Sequence, residues 1–193
     1  MASDAAEISP AGDRPPPVAF SHVGIHAFDH ERLARFYRER LGLVETDRGS
    51  LPGRGDLIFL SRDPREHHQL VLISGRTAGR DTRHVNQISF RVRSLDELKQ
   101  LHARLKDDPE ASDLKPTNHG AAWALYCLDP EGNRIELFVD TPWYIPQPLS
   151  EPFDLEAPVA EIEAATEARC RSTPGFRPMA EFQAEIARRI AHG

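Results

Sequence analysis

The sequence predicts an α+β fold in which two βαβββ modules form one cupped, eight-stranded mixed sheet with a helical C-terminal extension. The order strand, helix, strand, strand, strand occurs twice between residues 18 and 140. Pro-rich segments border this region on both sides and set it apart from the rest of the chain. Two equivalent open sheets would hide their apolar faces by pairing edge to edge, and the enclosed concavity would then be the natural pocket.

The first repeat covers residues 18–75. Its helix is predicted over 30–41, and Gly42 follows where the C′ residue of a helix belongs, because glycine adopts the left-handed conformation at little cost. Short segments rich in apolar residues on either side of this helix predict strands. These strands cover residues 18–27, 43–48, 55–61 and 67–74.

The second repeat covers residues 84–140. Its helix is predicted over 94–106, where Ser94 stands three residues before Glu97 and so forms a capping box ahead of an apolar stripe. The segment 129–133 (Asp-Pro-Glu-Gly-Asn) is a turn signal that joins the last two strands. The predicted strands cover residues 85–92, 114–118, 121–128 and 134–140.

Residues 1–17 are rich in proline and poor in apolar groups, which predicts a disordered lead-in. Residues 141–193 form a C-terminal extension that begins Thr-Pro-Trp-Tyr-Ile-Pro-Gln-Pro and is too rich in proline there for regular structure. Apolar residues at helical spacing then predict helices over 157–171 and 178–191. We interpret them as helices that pack on the body, with an interaction tail as the alternative.

Composition excludes several classes of protein. The 193 residues carry a formal net charge of −6 with no basic stripe, which argues against nucleic acid as a partner. The apolar runs are too short to span a membrane, and no signal peptide is apparent. Cys127 and Cys170 stand in no CxxC arrangement, so free thiols in a reducing cytoplasm are expected rather than a disulfide or a zinc site.

Three predicted strands each carry one candidate metal ligand: His22, Gln87 and Glu136. Alternate residues of a strand face the same side, so one side chain from each strand can converge on a single ion inside a curved sheet. Three N/O ligands on one face of an ion leave open positions, and that arrangement suits the oxygen chemistry of Fe(II).

These residues carry a family resemblance. The paired βαβββ layout, a histidine two residues before Gly24, and the segment 129–138 (DPEGNRIELF) together resemble the vicinal oxygen chelate superfamily, which contains glyoxalase I, extradiol dioxygenases, fosfomycin resistance enzymes and bleomycin-binding proteins. Single-domain type I extradiol dioxygenases are the most similar group. The resemblance covers residues 18–140. It implies oxidative cleavage of a catechol-type aromatic diol by O2 in aromatic compound catabolism, with Fe(II) as the expected metal and Mn, Zn or Ni as alternatives. It also implies a homodimer.

The same resemblance implies roles for individual residues. His22, Gln87 and Glu136 match the three metal ligands, and the departure is Gln87, because ring-cleaving dioxygenases normally have His there. Glutamine is a metal ligand in glyoxalase I, although an amide oxygen is a weaker donor than imidazole. The catalytic positions that match are the acid/base histidine, a polar pocket residue and the active-site tyrosine: His68, His119 and Tyr126.

Each of these residues also has a simpler interpretation. His22 could be a satisfied polar group, Glu136 a buried ion-pair partner, and Gln87 a core residue bonded to backbone. His68 and His119 could be solvated, and Tyr126 could be ordinary sheet packing. Two rival functions also stay open: a metal-dependent isomerase or lyase of the same fold, and a small-molecule binding protein without catalysis.

Overall fold

The first βαβββ repeat forms a four-stranded sheet covered by one helix. In this computed structural model, residues 20–53, 55–77, 79 and 85–192 are described. The sheet order is β1-β4-β3-β2, with β1 parallel to β4 and the other pairs antiparallel. The elements are β1 (Val23–Ala27), α1 (His30–Leu41), β2 (Val44–Leu51), β3 (Gly55–Ser61) and β4 (Leu70–Ser74).

Helix α1 begins and ends where the sequence predicts. Asp29 is the N-cap, and its carboxylate accepts a hydrogen bond from the backbone N–H of Arg32. Gly42 ends the helix at a φ of 71°, and its N–H returns to the carbonyl of Arg38. A glycine is favoured there because a Cβ is strained in the left-handed region.

The second repeat has the same order of elements, and its sheet gains one strand. It consists of β5 (Ile88–Arg91), α2 (Leu95–Leu105), β6 (Ser112–Asn118), β7 (Ala122–Leu128) and β8 (Arg134–Asp140). The C-terminal extension supplies β9 (Trp143–Tyr144), β10 (Glu151–Pro152), α3 (Val159–Arg171), β11 (Arg177–Pro178) and α4 (Met179–His192). The order of the larger sheet is β10-β6-β7-β8-β5, while β11 and β9 form a separate two-stranded pair.

The predicted α+β fold of two βαβββ modules is confirmed, but the modules do not share one continuous eight-stranded sheet. The eight predicted strands lie in two hydrogen-bonded sheets, and no ladder joins them within the part of the chain that the structure describes. The edge strands β1 and β5 each pair on one side only, with β4 and β8 respectively. The predicted disordered segment 1–17 lies outside the described residues.

Hydrogen bonds made by side chains of the turn between β7 and β8 join the two repeats. The carboxylate of Glu131, in the turn between β7 and β8, accepts hydrogen bonds from the backbone N–H groups of Phe28 and Asp29 at 2.9 and 2.7 Å. In the same turn, Asp129 accepts a 3.1 Å bond from the buried hydroxyl of Tyr37 on α1. The turn signal of the second repeat is therefore also a contact between the repeats.

One apolar core runs through both repeats and into the extension. It contains Leu33 and Leu72 from the first repeat, Leu98 and Leu137 from the second, and Ile162 from α3. Helix α3 thus packs on the body, as the sequence predicts, whereas α4 packs on β9 and β11 of the extension itself. None of the helices in the described ranges is long and apolar enough to cross a membrane.

Candidate functional site

The site is built around Glu136, which lies in the middle of β8. Ile135, Leu137 and Val139 alternate with it along the strand and are buried in the core. Because side chains alternate between the faces of a strand, Glu136 lies on the opposite face with its side chain 13% exposed. A carboxylate so shielded from water needs hydrogen-bond donors or a cation.

Gln87, directly before β5, and Ser89 on β5 both meet one oxygen of this carboxylate. Gln87 Nε2 lies 2.6 Å from Glu136 Oε2, and the hydroxyl of Ser89 donates to the same oxygen. Ser89 is also the direct partner of Glu136 in the parallel β5–β8 pair. Gln87 and Glu136, two of the three predicted metal ligands, are therefore in direct contact.

The other oxygen of Glu136 is the first member of a series of hydrogen bonds that runs through Tyr126 to His119. Tyr126, opposite Glu136 in the β7–β8 pair, has its hydroxyl 2.7 Å from Glu136 Oε1. His119 Nε2 lies 3.0 Å from the same hydroxyl, and His119 Nδ1 lies 2.6 Å from the carbonyl oxygen of Leu149. Of the predicted catalytic residues, Tyr126 therefore contacts Glu136 directly, and His119 contacts it through the Tyr126 hydroxyl.

The hydrogen-bonded series from Leu149 to Glu136 has more acceptors than hydrogens. The Leu149 carbonyl only accepts, so His119 Nδ1 carries a hydrogen and the neutral ring presents a lone pair at Nε2. The single Tyr126 proton then faces two acceptors, His119 Nε2 and Glu136 Oε1. One further proton, on either His119 or Glu136, satisfies both contacts. The series can therefore hold and pass one proton beside the carboxylate.

Tyr126 itself is held neutral. Desolvation is the main cause that raises the pKa of the phenol, followed by its hydrogen bond to Glu136. Placing a phenolate next to a carboxylate would bring two negative charges together. Tyr126 therefore acts here as a hydrogen-bond donor rather than as an anion.

The first repeat contributes a second group of side chains. The rings of His22 and His68 have centroids 4.2 Å apart, and Phe59 on β3 packs against the His68 ring at 5.0 Å. His67 Nδ1 lies 2.8 Å from His68 Nδ1. Desolvation, together with the nearby His22 and His67, lowers the pKa of His68 below its ordinary value. A neutral imidazole at pH 7 can accept a proton.

The donor atoms of this region partly fit a divalent ion. Gln87 and Glu136 could offer two oxygen ligands if the amide rotated by half a turn, because an amide binds a metal through oxygen rather than nitrogen. Within the described ranges, no three His, Cys, Asp or Glu side chains form a group that could hold a metal ion. The set of His22, Gln87 and Glu136, which relies on an amide, stays a prediction.

A cavity of about 190 Å³ opens beside the hydrogen-bonded series around Glu136. Gln87, His119 and Tyr126 line it together with Lys115 and Arg134. Ser150, from the C-terminal extension, forms part of the same wall. Three of the predicted site residues thus line one open cavity.

Sequence reasoning missed two contributors to this site. Ser89 could have been found, since it lies two residues after Gln87 on the same face of a strand. The carbonyl of Leu149 carries no signal of its own, because a backbone group 30 residues from His119 is brought there only by the path of the extension.

Comparison with known proteins decides the family. The model of the Glyoxalase/Bleomycin resistance protein/Dioxygenase superfamily matches residues 19–137. The chain belongs to this superfamily. The match ends within β8, so it includes Gln87, His119, Tyr126 and Glu136 but none of the extension that carries Leu149. Members of the superfamily include glyoxalases, bleomycin resistance proteins and dioxygenases, as its name states.

Solved structures share this fold at low sequence identity. A glyoxylase/bleomycin resistance protein/dioxygenase domain from Frankia sp. EAN1pec is 24% identical with a TM-score of 0.52, covering 65% of this chain and 100% of that chain. The fosfomycin resistance protein FosX from Listeria monocytogenes, solved with Mn(II) and a sulfate ion, is 17% identical with a TM-score of 0.52 and covers 65% of this chain and 95% of that chain. No curated protein matches the chain.

Proposed function

We propose that this superfamily member is a metal-dependent extradiol dioxygenase that opens a catechol-type ring. The observation that carries the proposal is the hydrogen-bonded series from Glu136 through Tyr126 to His119 beside a small cavity. A molecule that only binds its ligand has no need of a shielded carboxylate joined to a proton-carrying histidine. Such groups are typical of catalysis by proton transfer.

The metal would be held by His22, Gln87 and Glu136, with Fe(II) as the proposed ion. Bound there, it would supply coordination of the two vicinal oxygens of the diol and activation of O2. One O2 is consumed for each ring opened, and both of its atoms enter the product. The remaining steps that we propose concern protons and are assigned to side chains of this chain.

His68 is proposed to take the first proton. A catechol must lose its hydroxyl protons before its oxygens can act as a strong chelate, and a neutral imidazole accepts one of them. The lowered pKa of His68 keeps this ring neutral near pH 7. Packing against Phe59 holds the ring beside His22, the proposed metal ligand.

Tyr126 and His119 are proposed to act on the other side of the substrate. The Tyr126 hydroxyl passes its proton to an oxygen that gains negative charge, and the further proton of the series, held at His119 Nε2, replaces it on the phenol oxygen. A cavity of about 190 Å³ favours a single-ring diol over a fused polycyclic one. Lys115 and Arg134 at the same cavity make its wall polar.

A second function is favoured by one observation, the amide at position 87. A glyoxalase-like isomerase or lyase also uses a divalent ion but needs no O2, and the proton series at Glu136 would serve it equally well. In such an enzyme His119 and Tyr126 would move a proton between two carbons of the substrate instead of assisting ring cleavage.

Oxygen uptake separates the two functions. The purified chain is loaded anaerobically with Fe(II), and O2 consumption is followed after addition of catechol or 2,3-dihydroxybiphenyl. The dioxygenase consumes one O2 per diol, and the Glu136→Ala variant does not. Glu163→Ala, at an exposed position of α3, is the matched control and keeps the activity.

Two outcomes would contradict the proposal. Bound metal without O2 consumption for any diol, together with isomerisation of the hemithioacetal of methylglyoxal and glutathione, would establish the second function. A chain that binds catechol but retains no Fe, Mn, Zn or Ni after anaerobic purification would be a binding protein.

A further inference from the structure

Two hydrogen bonds join the C-terminal extension to His119, and a third within the extension links their two partners. The carbonyl of Leu149 lies 2.6 Å from His119 Nδ1, and Gln147 Nε2 donates to the backbone carbonyl of His119 at 2.8 Å. Gln147 Oε1 in turn accepts from the N–H of Leu149 at 2.9 Å. The Gln147 side chain therefore ties the backbone of His119 to the residue that contacts its ring.

The segment that carries these groups is firmly anchored. Ile145 is fully buried, and Glu151 at the end of the segment pairs with Asn118 as β10 joins β6. A Cβ at Gly120, which has a φ of 70°, would lie 2.4 Å from Ile145 Cδ1. Such contact distances leave little freedom for either segment, so the Leu149 carbonyl is held in a defined place.

This contact decides which ring nitrogen of His119 carries the hydrogen. A carbonyl oxygen accepts and cannot donate, so the hydrogen lies on Nδ1. The lone pair of the neutral ring is then at Nε2, 3.0 Å from the Tyr126 hydroxyl. Without the Leu149 carbonyl, the ring could place its hydrogen on Nε2, where it would donate to the Tyr126 hydroxyl and could no longer accept a proton from it, or the ring could turn away.

We propose that the C-terminal extension is part of the active site and that Gln147 is a positioning residue for His119. Gln147 places the Leu149 carbonyl so that His119 keeps its Nδ1–H tautomer with Nε2 toward Tyr126. The inference rests on the proposed function, since it gives His119 a part in turnover. The extension lies beyond residue 137, where the match to the superfamily ends, so the βαβββ repeats themselves do not supply this support.

The test replaces Gln147 rather than removing the extension, because Ile145, Leu155 and Ile162 belong to the buried structure of the whole chain. Gln147→Ala removes the side-chain bonds to His119 and Leu149, together with a longer one to the Ile145 carbonyl. Gln183→Ala, at an exposed position of α4, is the matched control. If Gln147→Ala does not fold, Gln147→Glu replaces it, since that side chain still accepts from the Leu149 N–H but no longer donates to His119.

The first readout is the 15N NMR spectrum of the imidazole rings at a fixed pH, with the His119 signals assigned by their absence in His119→Gln. The parent chain and Gln183→Ala are expected to show the Nδ1–H tautomer, and Gln147→Ala a mixture of both tautomers. This measurement needs no substrate. An Nε2–H tautomer in the parent would overturn the inference whatever the reaction is.

The second readout is turnover on the substrate that the parent accepts. Gln147→Ala is expected to lower kcat by about 10-fold while KM and metal content change less than about twofold, because the positioning of a proton donor is lost rather than a binding contact. Unchanged tautomer and unchanged kcat in a folded Gln147→Ala would overturn the inference. Absence of all turnover in the parent with the expected tautomers would contradict the proposed function alone.

Discussion

Gln87 Nε2 lies 2.6 Å from Glu136 Oε2, so two residues predicted from separate strands as metal ligands contact each other. The contact has two interpretations that make different predictions. If Gln87 is a ligand, the amide turns its oxygen to the ion. If it is only a donor to the carboxylate, metal affinity does not depend on it.

Substitution of Gln87 distinguishes these interpretations. Gln87→His is expected to bind Fe(II) more tightly, because imidazole is the better donor, and to keep the proposed activity. Gln87→Leu is expected to weaken Fe(II) binding by about 10-fold or more. Both are measured by titrating Fe(II) anaerobically into each variant, with Gln100→Leu on the exposed surface of α2 as the control. Parent-like affinity in Gln87→Leu would exclude the amide, and the third ligand would then be His68, water or His84, which lies outside the described residues.

Removal of the His68 imidazole tests the proposed base. His68→Gln is expected to keep its metal and bind catechol but to lower kcat by about 100-fold or more, because no neutral imidazole remains to accept the proton. In the parent, activity should fall as the pH drops through the lowered pKa of His68, since protonation removes the base. His102→Gln, on α2, is the control. Parent-like turnover in His68→Gln would assign His68 to packing against Phe59.

Glu131 is expected to stabilise the contact between the two repeats. Glu131→Ala removes the acceptor of two backbone N–H groups, Phe28 and Asp29, from a side chain that is 3% exposed. Bonds to a charged acceptor contribute about 1.5–3 kcal/mol each, so a loss of about 3 kcal/mol in the free energy of unfolding is expected. Urea denaturation measures it, with the exposed Glu163→Ala as control. A loss no larger than that of the control would show that the bonds to Glu131 do not stabilise the contact between the repeats.

The sequence predicts the helices and strands better than it predicts the contacts between them. Helix α1 was predictable to the residue because Asp29 and Gly42 are local signals that act within one turn. The second strand of the first repeat was less well defined: it was predicted over 43–48, yet β2 runs from Val44 to Leu51. Its added residues pair with β3, and strand length depends on such pairing rather than on local sequence.

Within the site, the same distinction between local and distant signals holds. Tyr126 and Glu136 were predictable as neighbours because they stand opposite each other across one hairpin. The Leu149 carbonyl was not predictable, since its contact with His119 follows from the packing of the whole extension. The separation of the eight strands into two sheets likewise depends on contacts between the repeats, such as Glu131 with Phe28, which no periodicity encodes.

The two cysteines are expected to be inert in the folded chain. Cys127 and Cys170 are free and buried, and burial raises the pKa of the Cys127 thiol to about 12. The reactive thiolate of Cys127 is therefore nearly absent at pH 8, and a thiol reagent in solution does not reach either buried sulfur. Ellman's reagent should count two thiols per chain in denaturant and react only slowly without it, while Cys127→Ser should lose one. Rapid reaction of the folded parent would contradict the buried placement.

The metal content of Glu136→Ala tests the central claim most directly. Parent, Glu136→Ala and Glu163→Ala are purified anaerobically, loaded with Fe(II), desalted and analysed for iron per folded chain. The site centred on Glu136 predicts about one ion in the parent and in Glu163→Ala, and less than about a tenth of that in Glu136→Ala, whose circular dichroism stays that of the parent. Equal iron in a folded Glu136→Ala, or none in the parent, would contradict it.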